Sequence, residues 1–295
     1  MSANDLNSTP LWTATVTPFY RDGRIDLNSL EGLLRRQEKA RNGVVLLGST
    51  GEALALDFEE QKSVVEKASS LNLSIPLLVG VPGFRLPAVL EWLDFCETQG
   101  VQGYLMPTPL YAKPGPVGQR QWFETLLGRV KKPCMLYNIP SRTGQELFID
   151  ALTPLKDHPN LWALKEASGS VDKCRLYHKA LPKLALYSGD DSLTYDLVPA
   201  GCRGLVSVAS NVWPSQMRAF VDRCLKQDMS EEERTPWHRA CDVLFTVSNP
   251  IPTKALLHHK GPTETPVLRP PLSHEELPSL DGLLEADGFM SAKEV

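Results

Sequence analysis

The stretch LWALKEAS, residues 161–168, is apolar up to its closing serine except for a lysine and the glutamate that follows it. A run of this length and continuity reads as a strand covered on both faces, as in a parallel sheet. Seven similar runs flank it: LWTATVTPF (11–19), GVVLLGST (43–50), IPLLVGV (75–81), GYLMPTP (103–109), PCMLYNIP (133–140), LALYSGDD (184–191) and GLVSVAS (204–210). Between them lie segments with helical spacing. In LNSLEGLLRRQEKA (27–40), Leu27, Leu30, Leu33 and Leu34 form one stripe with charges opposite. FEEQKSVVEKASSL (58–71) repeats the pattern, as does LPAVLEWLDFCETQG (86–100), which Gly100 is expected to terminate. Eight strands, each followed by a helix, predict an α/β fold of the (β/α)8 TIM-barrel type, which usually needs about 250 residues. A doubly wound open sheet is the competitor. It would normally carry a glycine-rich phosphate turn, and neither GxGxxG nor GxxxxGK[ST] occurs. The expected organisation is a barrel over 1–227 carrying the active site, and a C-terminal helical extension over 228–295.

Bulk properties narrow the function classes. The 295 residues are 42% hydrophobic and 22% charged, enough for a sizeable core. A net charge of −4 with scattered basic residues argues against a nucleic-acid partner. Six cysteines lie far apart without a CxxC pair, as in a reducing-compartment enzyme rather than a disulfide scaffold. The six histidines form no HxxxH or HExxH pattern, so no metal site is expected. The N-terminus has no basic region followed by an apolar run, and no stretch approaches the roughly 20 apolar residues of a membrane span. The expectation is a cytoplasmic protein without a membrane or nucleic-acid partner.

Barrel enzymes build their sites at the C-terminal ends of the strands. Those ends carry Ser49-Thr50-Gly51-Glu52, Tyr137-Asn138, Arg142, Lys165 and Gly189-Asp190-Asp191, and strand eight can offer backbone groups at Val206. Lys165 admits three readings: a snorkelling surface lysine, an ion pair with Glu166, or an amine kept for chemistry. The ion pair is awkward, because consecutive strand residues point to opposite faces. Burial disfavours the charged form of an amine, and a neutral amine attacks a carbonyl to form a Schiff base. Such chemistry needs a proton shuttle, for which Tyr137 is suited, and a carboxylate holder, for which Arg142 is suited. A core tyrosine with its hydroxyl at the rim and a loop salt bridge are the plainer readings of those two residues.

The motifs GSTGE (48–52), YNIPSRTG (137–144), LKEAS (164–168) and SGDD (188–191), in that order, resemble the dihydrodipicolinate synthase/N-acetylneuraminate lyase family of class I aldolases. The likeness runs from about residue 11 past NPIPTKALL (249–257). It implies that Lys165 condenses with pyruvate and needs no cofactor beyond that covalent imine. It implies Tyr137 as general acid and base, relayed to solvent through Ser49 and through Tyr111 of a neighbouring subunit, hence a homo-oligomer, dimer or tetramer. Thr50 would hold the pyruvate carboxylate. Val206 matches a position whose carbonyl lies near the site, and Gly189 one associated with the second substrate.

SRTG, with its Arg142, resembles the subgroup that joins pyruvate to L-aspartate-4-semialdehyde in the lysine/diaminopimelate pathway. The alternatives are a pyruvate-dependent aldolase or lyase of a 2-keto-3-deoxy sugar acid or N-acetylneuraminate, and a non-catalytic binding paralogue. Departures from the family pattern are Ser49, where threonine is usual, and Leu110-Tyr111, where a tyrosine pair is usual. Positions matching the lysine feedback site are Ala53, Phe58, Gln61, Phe84 and Ala88, where regulated members carry polar, histidine or glutamate side chains; Ala88 has no carboxylate and Phe84 no amide. Feedback by L-lysine is therefore expected to be weak or absent.

Overall fold

The run at 161–168 becomes the sixth of eight strands in the computed structural model, which describes residues 6–293. The strands are β1 (Leu11–Ala14), β2 (Gly43–Leu46), β3 (Leu77–Gly80), β4 (Gly103–Pro107), β5 (Cys134–Asn138), β6 (Leu161–Glu166), β7 (Ala185–Ser188) and β8 (Cys202–Ser207). All pair in parallel in chain order, and β8 closes onto β1. The result is a (β/α)8 barrel, as the alternation of elements predicts.

Why the runs are continuously apolar is visible in how alternate residues sort. Trp12, Ala14, Val45, Leu78, Leu105, Met135, Tyr137, Ala163, Ala185, Tyr187 and Val206 form one buried cluster, the barrel interior. Their strand neighbours, among them Val44, Leu46, Leu77, Val79, Leu136, Leu164 and Leu186, join a second cluster under the outer helices. Both faces of the strands are thus almost wholly removed from water, Arg203 of β8 being exposed, and neither face tolerates a polar stripe. Between Cys134 and Met135 the β5–β6 register shifts, which leaves Trp162 unmatched. Trp162 packs 5.8 Å from Trp12 and 5.7 Å from Tyr187, between ring centroids, and closes the N-terminal end.

The outer helices are α1 (Leu27–Ala40), α2 (Phe58–Ser70), α3 (Leu86–Glu97), α4 (Pro116–Arg129), the single turns α5 (Pro140–Thr143) and α6 (Ile149–Leu152), α7 (Val171–Ala180), the single turn α8 (Thr194–Leu197), and α9 (Pro214–Lys226). Their starts follow local chemistry. Asp26 accepts the Asn28 and Ser29 N–H groups ahead of α1, and Asp57 and Glu60 form a capping box at α2. α3 ends at Glu97, short of the expected stop at Gly100; Thr98 and Gln99 continue as tighter turns, their N–H groups donating to the Phe95 and Cys96 carbonyls at 3.1 Å.

After α9 come α10 (Glu231–Asp242), α11 (Ile251–His259) and α12 (Asp281–Ser291). Their apolar faces share a core with α9 and the barrel wall: Trp237 stacks on Phe220 at 5.0 Å, and Leu11, Leu205, Leu256 and Met290 lie in the same cluster. Between α11 and α12 an irregular strap returns to the mouth of the barrel.

Candidate functional site

Lys165 shares its strand face with Ala163, so it points into the barrel, near the C-terminal end of β6. It is 5% exposed. Among the described residues it makes no hydrogen bond or ion pair; its Nζ sits 4.2 Å from the centroid of the Tyr137 ring. Tyr137 is its direct partner in the β5–β6 register, and the next rung pairs Asn138 with Glu166. These two rungs have opposite uses. On the inner rung the amine and the phenol meet. On the outer rung Asn138 Nδ2 donates to Glu166 at 2.7 Å, and the same carboxylate accepts the Ser168 N–H at 2.8 Å. Asn138 also accepts the Leu147 N–H at 2.8 Å. Glu166 is therefore committed outside the barrel, which removes it as a partner for Lys165. Burial raises its carboxyl above the usual range, against the Ser168 and Asn138 bonds that lower it.

Gly189 has a steric reason to be glycine. A Cβ there would lie 2.8 Å from Lys165 Cε and 2.4 Å from Ala167 Cβ, so the missing side chain makes room for the lysine stem. Beyond it, burial raises the Asp190 carboxyl, opposed by the positive charge of Lys165. Asp191 is pushed up to about 6, again by burial, opposed by Ser207 Oγ and the N–H groups of Val208 and Ala209. It accepts the Val208 N–H at 3.0 Å and so fixes the end of β8. Val206, paired with Trp12 of β1, places its side chain in the barrel interior.

Above Tyr137 opens a cavity of about 470 Å³. Ser49, Tyr137 and Arg142 supply polar groups to its wall; Leu54, Leu110 and Leu272 are among its apolar lining. Lys165 lies behind the Tyr137 ring rather than in the wall itself. The GSTGE turn reaches the cavity through a tight backbone path. Leu47 and Glu52, at its two ends, both have φ of 55°, in the left-handed region that side chains seldom adopt. Gly80 permits this, because a Cβ there would sit 2.1 Å from the Leu47 carbonyl oxygen. Ser49 is exposed at the turn's apex, whereas Thr50 is buried.

Two residues overlooked in the sequence support the wall from behind. Asn249 donates from Nδ2 to Thr50 Oγ1 at 3.0 Å, and its carbonyl accepts Arg142 Nη2 at 3.2 Å. It therefore bridges the two side chains expected to hold carboxylates. Lys254, one turn further along, is the second deeply buried lysine and pairs with Glu52 at 2.5 Å. Glu52 is thus no free rim carboxylate. The NPIP stretch carried the only signal, an asparagine ahead of a helix-starting Ile-Pro; the apolar residues around Lys254 gave none. Tyr111, by contrast, stays out of the site of its own chain: it is 86% exposed at φ 63°, directly after the cavity residue Leu110.

An unpaired buried amine behind a phenol, and on the cavity that this phenol lines a free hydroxyl and a guanidinium, can form an imine, move a proton beside it and hold an anionic second substrate. Comparison with known proteins shows what the chain is similar to. The dihydrodipicolinate synthetase family matches residues 7–286. A 4-hydroxy-tetrahydrodipicolinate synthase of Francisella tularensis subsp. novicida is 50% identical, covering 97% of each chain. One from Wolbachia pipientis subsp. Culex pipiens is 48% identical, covering 96% of each. The solved structure of a chloride-inhibited dihydrodipicolinate synthase from Acinetobacter baumannii, complexed with pyruvate, superposes with a TM-score of 0.89 at 30% identity, covering 97% of this chain and 99% of that one.

Proposed function

We propose that this chain, which belongs to the dihydrodipicolinate synthetase family, condenses pyruvate with L-aspartate-4-semialdehyde to 4-hydroxy-tetrahydrodipicolinate. The observation that carries the reading is the buried, unpaired Lys165 amine set against the Tyr137 ring.

Lys165 Nζ adds to the C2 carbonyl of pyruvate, and loss of water from the carbinolamine gives the iminium. The iminium withdraws electrons, so C3 loses a proton and the enamine attacks the aldehyde carbon of the second substrate. The new alkoxide takes a proton, and the α-amino group of the added unit attacks the imine carbon. That step closes the ring and returns Lys165 to the free amine, with one water released overall. Tyr137 moves the protons of imine formation and carbon–carbon bond formation. Ser49 leads them toward solvent, joined by Tyr111 of a second copy of the chain. The exposure of Tyr111 beside cavity residue Leu110 supports that role, and with it a dimer or tetramer.

Thr50 donates to the pyruvate carboxylate while Asn249 occupies its acceptor lone pair. Arg142 takes the carboxylate of the semialdehyde at the exposed end of the cavity. This guanidinium favours the semialdehyde over an uncharged sugar chain. Val206 and Gly189 shape the floor around the imine. At the position of the expected feedback site the Gln61 amide is spent on the Ala53 and Leu56 carbonyls, at 2.8 and 3.1 Å. That commitment supports insensitivity to L-lysine.

The direct test is intact mass after incubation with pyruvate and borohydride. One reduced pyruvate adduct per chain, mapped to Lys165, is expected; an unmodified chain overturns the reading. The second test compares pyruvate plus aspartate semialdehyde with pyruvate plus a sugar aldehyde.

A further inference from the structure

The chemistry above uses one of the two lysines that the fold buries deeply. The other, Lys254 in α11, donates to Glu52 Oε1 at 2.5 Å and to the Val267 carbonyl at 2.9 Å, and its Nζ lies 4.0 Å from the centroid of Phe19. The second oxygen of Glu52 accepts the backbone N–H of Arg269 at 2.8 Å. Arg269 in turn donates from Nε to the Gly23 carbonyl at 2.9 Å and forms an ion pair with Glu60. Thr265 Oγ1 donates to the Phe19 carbonyl at 2.7 Å. One buried carboxylate thereby joins three pieces of chain that are remote in sequence: the turn carrying Ser49 and Thr50, the helix that follows Asn249, which touches Thr50 and Arg142, and the strap at 265–272. Arg269, Pro270, Pro271 and Leu272 of this strap line the same cavity as Tyr137 and Arg142.

We infer that Glu52 and Lys254 are positioning residues, and that the strap they pin is the wall that sets which aldehyde the cavity accepts. The inference rests on the function proposed above and goes beyond it. Pyruvate is captured at Lys165, behind the Tyr137 ring, whereas the strap lines the cavity on the other side of that ring. The aldehyde must instead occupy the space between Arg142 and that wall. A strap freed from Glu52 shifts the aldehyde relative to the enamine while leaving the imine-forming groups in place. Such misplacement is costly, because a reacting pair must be held close to its reactive geometry.

Two variants test this: Leu272→Ala, a half-buried wall residue whose truncation preserves the fold, and Glu52→Gln combined with Lys254→Met, which removes the pair without leaving either charge unmatched. For each, the pyruvate dependence of borohydride trapping is measured beside kcat and KM for the semialdehyde and for a homologue one methylene longer. The expected result is a pyruvate half-saturation within about 2-fold of the unmodified protein in both variants. The semialdehyde KM rises about 10-fold in the double variant with kcat changed much less. In Leu272→Ala the preference between the two aldehydes moves about 10-fold toward the longer one, the value of one methylene in a pocket. A Leu272→Ala protein with unchanged aldehyde KM and chain-length preference overturns the inference. So does a double variant whose pyruvate trapping and aldehyde KM weaken equally, which is the signature of a general structural role. Absence of trapping in the unmodified protein overturns the function itself and this inference with it, whereas normal trapping with unaltered variants overturns the inference alone.

Discussion

Lys165 and Lys254 are both buried, 5% and 1% exposed, and the fold treats them in opposite ways. Lys254 has a carboxylate at 2.5 Å, a carbonyl at 2.9 Å and an aromatic face. Lys165 has the aromatic face and no ion pair or hydrogen bond among the described residues. Burial alone therefore does not mark a reactive amine; the absence of a partner does. Even with Glu52 beside it, burial holds the Lys254 ammonium down at about 8. An ammonium so deeply placed persists because removing either partner leaves a bare charge in the interior. Lys165 instead lies behind the Tyr137 ring, and that ring lines the cavity from which a carbonyl compound would enter.

The contrast breaks most visibly by removing each amine in turn. Lys165→Ala is expected to eliminate pyruvate trapping and reduce turnover by about 10⁴-fold or more, since no other group in the site can form the imine. Its folding stability should be unchanged or higher, because no interaction partner is stranded. Trapping that persists in this variant at another lysine would transfer the catalytic role.

Lys254→Met should do the reverse. Trapping at Lys165 persists in the folded fraction, while unfolding free energy falls by about 3–5 kcal/mol because Glu52 is left buried and unpaired. Adding Glu52→Gln should restore most of the loss. Denaturant titration of the single and double variants reads this. A single variant as stable as the parent would mean that water or a rearranged Arg269 satisfies Glu52.

A smaller effect separates the two carboxylate-holding groups. Thr50 is buried, and Arg142 lies at the exposed end of the cavity, anchored by the Asn249 carbonyl at 3.2 Å. Arg142→Ala is expected to lower kcat/KM for the semialdehyde by about 10²-fold, the scale of a lost charge-assisted contact, with pyruvate trapping unaffected. Equal losses for both substrates would contradict the division of labour.

The same contrast explains what the sequence could disclose. Lys165 is conspicuous because it interrupts a strand that is otherwise apolar on both faces, and a period of two fixes which side it takes. The eight-strand alternation and the YN and KE rungs are legible on the same grounds. Lys254 sits in PTKALLHH, a helical stretch whose one lysine could as readily lie on the solvent face, so nothing local distinguishes a buried from an exposed position. Its partner Glu52 is about two hundred residues away in sequence, and only the closed barrel brings them together. Asn249 and the strap at 265–272 are hidden for that same reason: their contacts are tertiary and lack periodicity. Tyr111 carries the opposite lesson, since the resemblance named a role for it that a single chain leaves in solvent.

The acids around Lys165 extend the comparison to pH. Glu52 meets its lysine directly, whereas Asp191 feels Lys165 only through space and bonds instead to Ser207 and to the Val208 N–H. Burial pushes Asp191 up from 3.8 to about 6. Between those values the folded state binds more protons than the unfolded one. The contribution of Asp191 to stability is therefore fully present below about pH 4 and is lost as pH rises through about 6. Asp191→Asn does not titrate. It carries a constant deficit from its altered bonds to the Val208 and Ala209 N–H groups, and this deficit does not depend on pH. Measured by denaturant titration, the stability of Asp191→Asn relative to the parent should improve by about 1 kcal/mol between pH 5 and pH 7. A gap that stays constant, or widens against the variant, would show that the backbone donors outweigh burial and keep Asp191 ionised throughout.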